Sequence, residues 1–500
     1  MSVREVSPII IGGAQEGELK AVASGALPNG KTVIVNSNGT VSVVGTSAVS
    51  QSVGSPTVFE TASSSGQDGI RVVYDSNAQK IVIVYRDNGN ESRGTAIVGT
   101  VSGTSISFGS ATAFQVVNSF CSYIAAAYDS NAQKIVIAYN DFNQSQKGFA
   151  IVGTVSGTSI SFGSEAEFEA GTTSFIDVVY DSNSQKHVIV FSDGGDSERG
   201  KAIVATVSGN SISYGSTVTF DNSSTISYIN AVYDSSAQKV VISYRDGGNN
   251  ARGTAIVGTV SGTSISFGSS AVWDSSNNTG LFNDIAYDSN ANRVVISYRD
   301  TGNSNYGTAV VGEVSGTSIS FGTSVVFESA HSDDTGIVYD SNAKKVVIAY
   351  KDTGDSGEGR LVVGTVDASD NSISFGSATE FESGSTNDIG VGYDSDQKKV
   401  VIAYQDDDNS DYGTAVEFST AHDATNLTLE NYIGISSGGS VADTENATVD
   451  IIGSINEDQS SLTAGQQYFV QNDGTLNTTA DDPSVLAGTA ISATQLLVKT

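Results

Sequence analysis

Cysteine occurs once, at Cys121, tryptophan once, at Trp273, proline four times, and histidine three times, at His187, His331 and His422. One thiol excludes an intrachain disulfide framework, and three scattered histidines argue against a zinc site or a Cys–His nucleophile. Positive charge is scarce too: 24 Lys and Arg stand against 55 Asp and Glu, a net charge of −31. Phosphate-backbone binders need cations that displace counterions, so nucleic acid is not an expected partner. The same charge repels an anionic membrane surface, and no apolar run of roughly 18 residues exists to insert in a bilayer. Met1 to Glu18 holds neither a long apolar core nor a small-residue cleavage site, so a standard secretory signal is not expected.

What is abundant is glycine, at 54 residues, with Ser, Thr, Val and Asn, the composition of short strands and tight turns. One segment recurs seven times, opening with Tyr-Asp-Ser at Tyr74, Tyr128, Tyr180, Tyr233, Tyr287, Tyr339 and Tyr393. The fifth copy reads as four strands: a stretch ending at Tyr287, then Arg293 to Asp300, Thr308 to Val314, and Ser318 to Phe327. Four antiparallel strands per repeat of this length describe a propeller blade. The last copy stops after Phe418 without its SISFG strand, and the missing piece stands ahead of the first copy, where Gly54 to Glu60 matches Gly322 to Glu328. The expected fold is all-β: a seven-bladed β-propeller over 49–421, closed by its N-terminal strand, inserted in or flanked by a small β-sandwich or barrel-like domain made of 1–48 and 422–500.

The two flanks share a pattern. Gly25 to Val41 (GALPNGKTVIVNSNGTV) and Ser461 to Leu476 (SLTAGQQYFVQNDGTL) each read as a β-hairpin closed by Asn-Gly or Asp-Gly. With YIGISSGG at 432–439 and SVLAGTAISATQLLVK at 484–499, these segments resemble modules of bacteriophage tail and virion structural proteins. The resemblance implies a virion location as tail fibre, appendage or capsid decoration, with other virion proteins held through 1–48 and 422–500 and many copies on the particle as a homo-oligomer.

Positions filled alike in every copy read as packing: the Tyr-Asp-Ser tyrosines, the aromatics at Tyr85, Tyr139, Phe191, Tyr244, Tyr298, Tyr350 and Tyr404, and the outer aromatics, among them Trp273 at the place of Phe327. An Asp after each second strand (Asp87, Asp141, Asp193, Asp246, Asp300, Asp352, Asp406) reads as a turn-closing side chain; Asp406, Asp407 and Asp408 are the calcium candidates. The informative positions differ between copies. Five residues before each Tyr-Asp-Ser stand Gly69, Tyr123, Phe175, Tyr228, Phe282, Asp334 and Asp388, and two residues further on Arg71, Ala125, Asp177, Asn230, Asp284, Gly336 and Gly390. Placed at the rim of the central channel, they form an aromatic arc facing an acidic one, suited to stacking on sugar rings and bonding hydroxyls. Pinning of the connecting loops is the alternative role for the aromatics. Repeated sialidase boxes each need a Trp, and one Trp cannot supply them; Arg86, Arg245 and Arg299 share one blade position, which reads as structural or surface. The expectation is therefore a non-enzymatic virion protein whose propeller binds a host-surface glycan; the alternatives are a purely structural capsid decoration and a propeller glycoside hydrolase or depolymerase with paired carboxylates.

Overall fold

The computed structural model describes residues 17–63, 69–115, 120–223, 225–276 and 279–499. It divides into two compact units, residues 51–420 and the pair of segments 1–50 and 421–500, each described by itself. The expected boundaries thus move by only one or two residues.

Unit 51–420 is the seven-bladed propeller, and no α-helix occurs among its described residues. Blade 5 shows the pattern: Leu281–Asp288 innermost, then Arg293–Asp300, Tyr306–Ser315 and the outer strand, all antiparallel. The second strands are apolar on both faces and buried, because each blade is covered by a neighbour on either side. Asp288 of the Tyr-Asp-Ser signature accepts from the amides of Asn290 and Ala291, closing the first hairpin as an Asx turn. Ring closure follows the expected register. Gly413, Thr414 and Ala415 pair with Glu60, Val58 and Thr57, as Gly307, Thr308 and Ala309 pair with Glu328, Val326 and Val325 in blade 5. Ser52–Val53 fills the place of the missing SISF strand, opposite Ser419 and Phe418.

The outer strand departs from expectation: instead of running from Ser318 to Phe327, it is two pieces, Ser318–Phe321 and a strand that starts at Val325. The cause is Gly322, where a Cβ would lie 2.0 Å from the Asn371 carbonyl of the next blade's turn. That turn wedges in beside the glycine, and the strand kinks around it.

Each blade boundary carries an aromatic pair joining an outer strand to the next blade's second strand. They are Phe59–Tyr85, Phe114–Tyr139, Phe168–Phe191, Phe220–Tyr244, Trp273–Tyr298, Phe327–Tyr350 and Phe381–Tyr404, with centroids 4.5 to 5.3 Å apart. Trp273 is a buried member of this set, as the sequence implies. At four boundaries the buried phenol also donates to a carboxylate of the preceding blade's outer strand: Tyr85 to Glu60, Tyr244 to Asp221, Tyr350 to Glu328 and Tyr404 to Glu382.

His187 takes the place of Ile81, Ile135, Val240, Val294, Val346 and Val400 in the sister blades. Its ring is fully buried against Tyr180, neither nitrogen is hydrogen-bonded, and the nearest charge is Asp129 at 3.9 Å. Burial pulls the imidazole down to about 4, against the opposing attraction of Asp129.

The second unit holds two five-stranded sheets that share one core, with Ile34, Tyr432 and Ile435 packed on Tyr468, Val470, Val485 and Leu496. The sheets are built alike. One runs Glu18–Val22, Asn446–Asp450, Tyr432–Ser437, Thr32–Val35, Val41–Val43; the other Ile455–Asn456, Leu496–Val498, Val485–Ala490, Gln467–Val470, Leu476–Asn477. In chain order the five strands of each sheet take the same places. The hairpin turns match in detail: Gly39 and Gly474 have φ of 83° and 82°, and Asn38 and Asp473 each accept from the amide and hydroxyl of the following-but-one Thr, Thr40 and Thr475. The unit is therefore a duplicated module. The propeller occupies the connection between third and fourth strands of the first copy, which in the second copy is only residues 478–484.

Two measurements test this packing. Tyr350→Phe keeps the ring, as Phe191 does in blade 3, but removes the phenol that donates to Glu328 Oε2; urea denaturation should show a loss of about 1–2 kcal/mol, and an unchanged midpoint would remove the phenol–carboxylate bond from the account. His187 is neutral when folded, with its pKa below the unfolded value, so the unfolded chain binds the extra proton. Its contribution is intact above about pH 6.5 and is lost as pH falls toward about 4, by on the order of 3 kcal/mol in full. His187→Val should flatten the acid side of the stability profile; a profile as steep as the parent's would refute that source.

Candidate functional site

The inner strands of blades 2 to 7 each carry a β-bulge near their start, as the register shifts between Ser122 and Ala125, Ser174 and Asp177, and Ser227 and Asn230 show. The bulge residue is left-handed in every case: Tyr123 (φ 52°), Phe175 (49°), Tyr228 (49°), Phe282 (49°), Asp334 (47°) and Asp388 (51°). Left-handed backbone at a bulky residue costs about 1–3 kcal/mol, so the surrounding sheet imposes it. The bulge turns these side chains out of the blade. All ten residues singled out from the sequence, Arg71, Tyr123, Phe175, Asp177, Tyr228, Asn230, Phe282, Asp284, Asp334 and Asp388, line one cavity of about 240 Å³ at the axis.

Four aromatic rings follow one another in tilted contact along one side. Tyr123 lies 5.1 Å from Phe175, Phe175 5.3 Å from Tyr228, and Tyr228 5.5 Å from Phe282, centroid to centroid, each pair tilted. The Arg299 guanidinium lies over Phe282 at 4.7 Å and pairs with Asp333. Arg86 lies over Phe120 at 5.7 Å. These arginines brace aromatic rings instead of gathering into one cationic cluster. Asp334 and Asp388 complete the rim on the side away from the arc.

Deeper in the channel the geometry differs from expectation. Asp177, Asn230 and Asp284 reach the cavity, but much of their bonding capacity stitches blades together. Asp177 Oδ2 accepts from the Ala231 amide of the next blade at 2.7 Å; Asp284 accepts from Ile285 and, across the boundary, from Ile337. Asn230 Nδ2 donates to the Asn283 carbonyl. Burial pushes the Asp177 carboxyl up to about 7; Arg71 and the Ala231 amide oppose the rise and Asp284 adds to it. Asp284 is raised as well, by burial first, against the Ile337 amide and Arg71. Two lining residues escaped the sequence reading. Asn283 and Thr335 stand where Ile70, Ile124, Ile176, Ile229 and Ile389 stand in the other blades, a substitution pattern that marks them once this column is compared. Asn283 donates to the Tyr228 carbonyl at 2.7 Å, so it holds an arc residue in place.

The calcium candidates Asp406, Asp407 and Asp408 follow one another at the end of the last second strand. Asp406 accepts from the Asn409 amide and caps a 3-10 turn, and Asp407 accepts from Asn387 Nδ2 and Ser385 Oγ. Their carboxylates serve separate partners, and among the described residues no group of three or more His, Cys, Asp and Glu is placed to hold a metal ion. The other second-strand aspartates behave as read: Asp87, Asp141, Asp193, Asp246 and Asp300 cap the same kind of turn, and Asp352 accepts from Gly354.

The class these features define is a seven-bladed β-propeller with an aromatic and acidic channel mouth. No family model matches the chain, and no curated protein matches it. Among solved structures it is similar to a mutant NanB sialidase of Streptococcus pneumoniae (11% identity, TM-score 0.44, covering 73% of this chain and 70% of that one). It is also similar to the periplasmic gluconolactonase of Pseudomonas aeruginosa (10%, 0.47, 73% and 97%) and a leech intramolecular trans-sialidase (9%, 0.41, 74% and 69%). Likeness at this level carries no argument about activity, and the propeller assignment stands on the blade pairing.

A carboxyl held near 7 can be tested directly. Asp177 binds its proton more tightly folded than unfolded, so it lowers stability as pH rises from about 4 to about 7. Asp177→Asn should make the protein less sensitive to pH across that window in thermal unfolding, and an unaltered dependence would show that Asp177 ionises normally.

Proposed function

We propose that the propeller is a carbohydrate-binding module whose site is the channel mouth. The observation that carries this is the arc of Tyr123, Phe175, Tyr228 and Phe282, four rings turned into one cavity by strained bulges, with Asp334 and Asp388 completing the rim. Aromatic faces pack on the C–H faces of sugars, and carboxylates accept from their hydroxyls. The duplicated β-module is the attachment element of this reading. Its resemblance to phage virion modules supports display on a particle, where many copies turn weak single-site binding into avidity. A second reading, glycoside hydrolysis, draws support from the raised Asp177 and Asp284 beside Arg71, since a glycosidase needs a protonated acid near neutral pH and a second carboxylate.

Glycan-array binding of the oligomerised protein tests the proposal, with Tyr228→Gly as the site variant. Tyr228 has left-handed backbone, which glycine adopts without strain, so the fold should survive. Tyr228→Gly should bind at least about tenfold more weakly, the worth of one stacked ring, with unchanged thermal stability or better. Equal binding by both proteins would move the site off the mouth. Release of reducing sugar from a bound glycan, abolished by Asp177→Asn, would instead favour the hydrolase.

A further inference from the structure

Blade 2 differs from its sisters at one more place on the face that carries the mouth. Three residues before each bulge residue the sequence has Phe120, Thr172, Thr225, Thr279, His331 and Ser385 in blades 2 to 7. Just past the second strand it has Phe142, Gly194, Gly247, Thr301, Thr353 and Asp407. The two positions meet by the same backbone bond in blades 2, 3 and 4: Phe142 N donates to Phe120 O, Gly194 N to Thr172 O, and Gly247 N to Thr225 O. The backbone is therefore shared and only the side chains change. In blade 2 alone both are aromatic, with centroids 4.3 Å apart and planes at 31°. Phe142 is 46% exposed, and Arg86 lies over its partner, Phe120.

Propeller architecture does not ask for these rings, since small or polar side chains serve in the sister blades. An exposed Phe142 is also costly in water, where burial of a Phe is worth about 1.5–3 kcal/mol. Phe120 lies three residues from Tyr123, the end of the aromatic arc, and three residues of extended chain span up to about 10 Å. A reach of up to that length leaves room for a second sugar unit outward of the mouth over blade 2.

Resting on the carbohydrate-binding reading of the mouth, we infer that the ligand is a neutral oligosaccharide, not a single sugar, and that the Phe120–Phe142 pair is an outer subsite stacking on a unit distal to the one in the mouth. Neutral chemistry is favoured because the aromatic surface supplies the contact, while the net charge of −31 repels polyanionic glycans.

The test is isothermal titration of the full chain with a length series, monosaccharide to hexasaccharide, of glucose, galactose, mannose and N-acetylglucosamine oligomers. The variant is Phe120→Thr with Phe142→Gly, the side chains blades 3 and 4 already carry, so folding is not at stake; Tyr228→Gly is the mouth control. The expected result is that the parent gains affinity with chain length. The double variant should lose about tenfold for the longer oligomers and bind the monosaccharide as before, while Tyr228→Gly weakens every length. If Tyr228→Gly weakens binding but the double variant follows the parent at every length, the outer subsite is overturned and the mouth stands. If neither variant changes binding, or no oligomer binds, both readings fall. Loss of short and long oligomers alike in the double variant would also overturn the inference, because it would place Phe120 and Phe142 in the mouth itself.

Discussion

The propeller depends on the aromatic contact that joins each outer strand to the next blade's second strand. A blade is a small twisted sheet with two apolar faces, unstable unless both are covered. Here the cover is supplied at all seven boundaries by the same ring pair, so each blade presents to its successor the surface it receives from its predecessor. Twist then brings the seventh blade back to the first. Within the chain every such pair is local, separated by about one strand and a turn, Phe59–Tyr85 included. The long-range step is a different one: Thr57–Ser63 pairing with Tyr412–Ser419. Closing a loop of that length carries an entropy cost that grows only slowly with size, and seven repeated boundaries set the ends side by side before it falls due.

Much of this was legible because the repeat supplies its own comparison. The Tyr-Asp-Ser signature gave the count of blades, and the match of Gly54 to Gly322 gave the closure to the residue. The kink of the outer strand was not legible. Gly322 reads as a turn residue in a run of β-formers, and only the neighbouring blade's carbonyl, distant in sequence, explains why a Cβ is refused there. The mouth shows the same limit. Its residues were found as the positions at which copies disagree, yet nothing in Tyr123 or Phe282 announces a left-handed backbone, since aromatic residues avoid it. The bulge is imposed by the inner strands of the whole ring, a property of the assembled propeller. Asn283 and Thr335 were missed for a simpler reason: they sit between the two columns that differ most, in a column that is otherwise isoleucine.

This separation of backbone from side chain is what allows a site to be argued at all. The bulge recurs in six blades with nearly the same φ, whether the residue is Tyr, Phe or Asp. The fold therefore fixes where the side chain points and leaves its chemistry open. Packing columns behave oppositely: the second-strand aromatics vary only between Tyr and Phe, because a ring of that size fills each boundary. Variation at an imposed, strained and solvent-facing position is thus informative in a way that variation in an ordinary loop is not. Deeper in the channel the two cases mix, since Asp177 and Asp284 both line the cavity and bind the next blade's amides, so changes there alter the ring as well as the mouth.

The duplicated module constrains how the chain assembles. In its first copy, Thr32–Val35 has a nearby partner in Val41–Val43, but Glu18–Val22 pairs with Asn446–Asp450 and the other edge of Thr32–Val35 with Tyr432–Ser437, more than 390 residues later. Glu18–Val22 and one edge of the local hairpin thus wait for strands that follow the propeller, and unpaired edges are liable to associate wrongly. The second copy has no such delay, because its five strands are contiguous in sequence and can form a sheet at once. Its apolar face, with Tyr468, Val470, Val485 and Leu496, is the surface on which Ile34, Tyr432 and Ile435 pack. A module that folds locally thus supplies the template on which its split twin is completed, so the insertion leaves unpaired only those strands whose partners follow the ring.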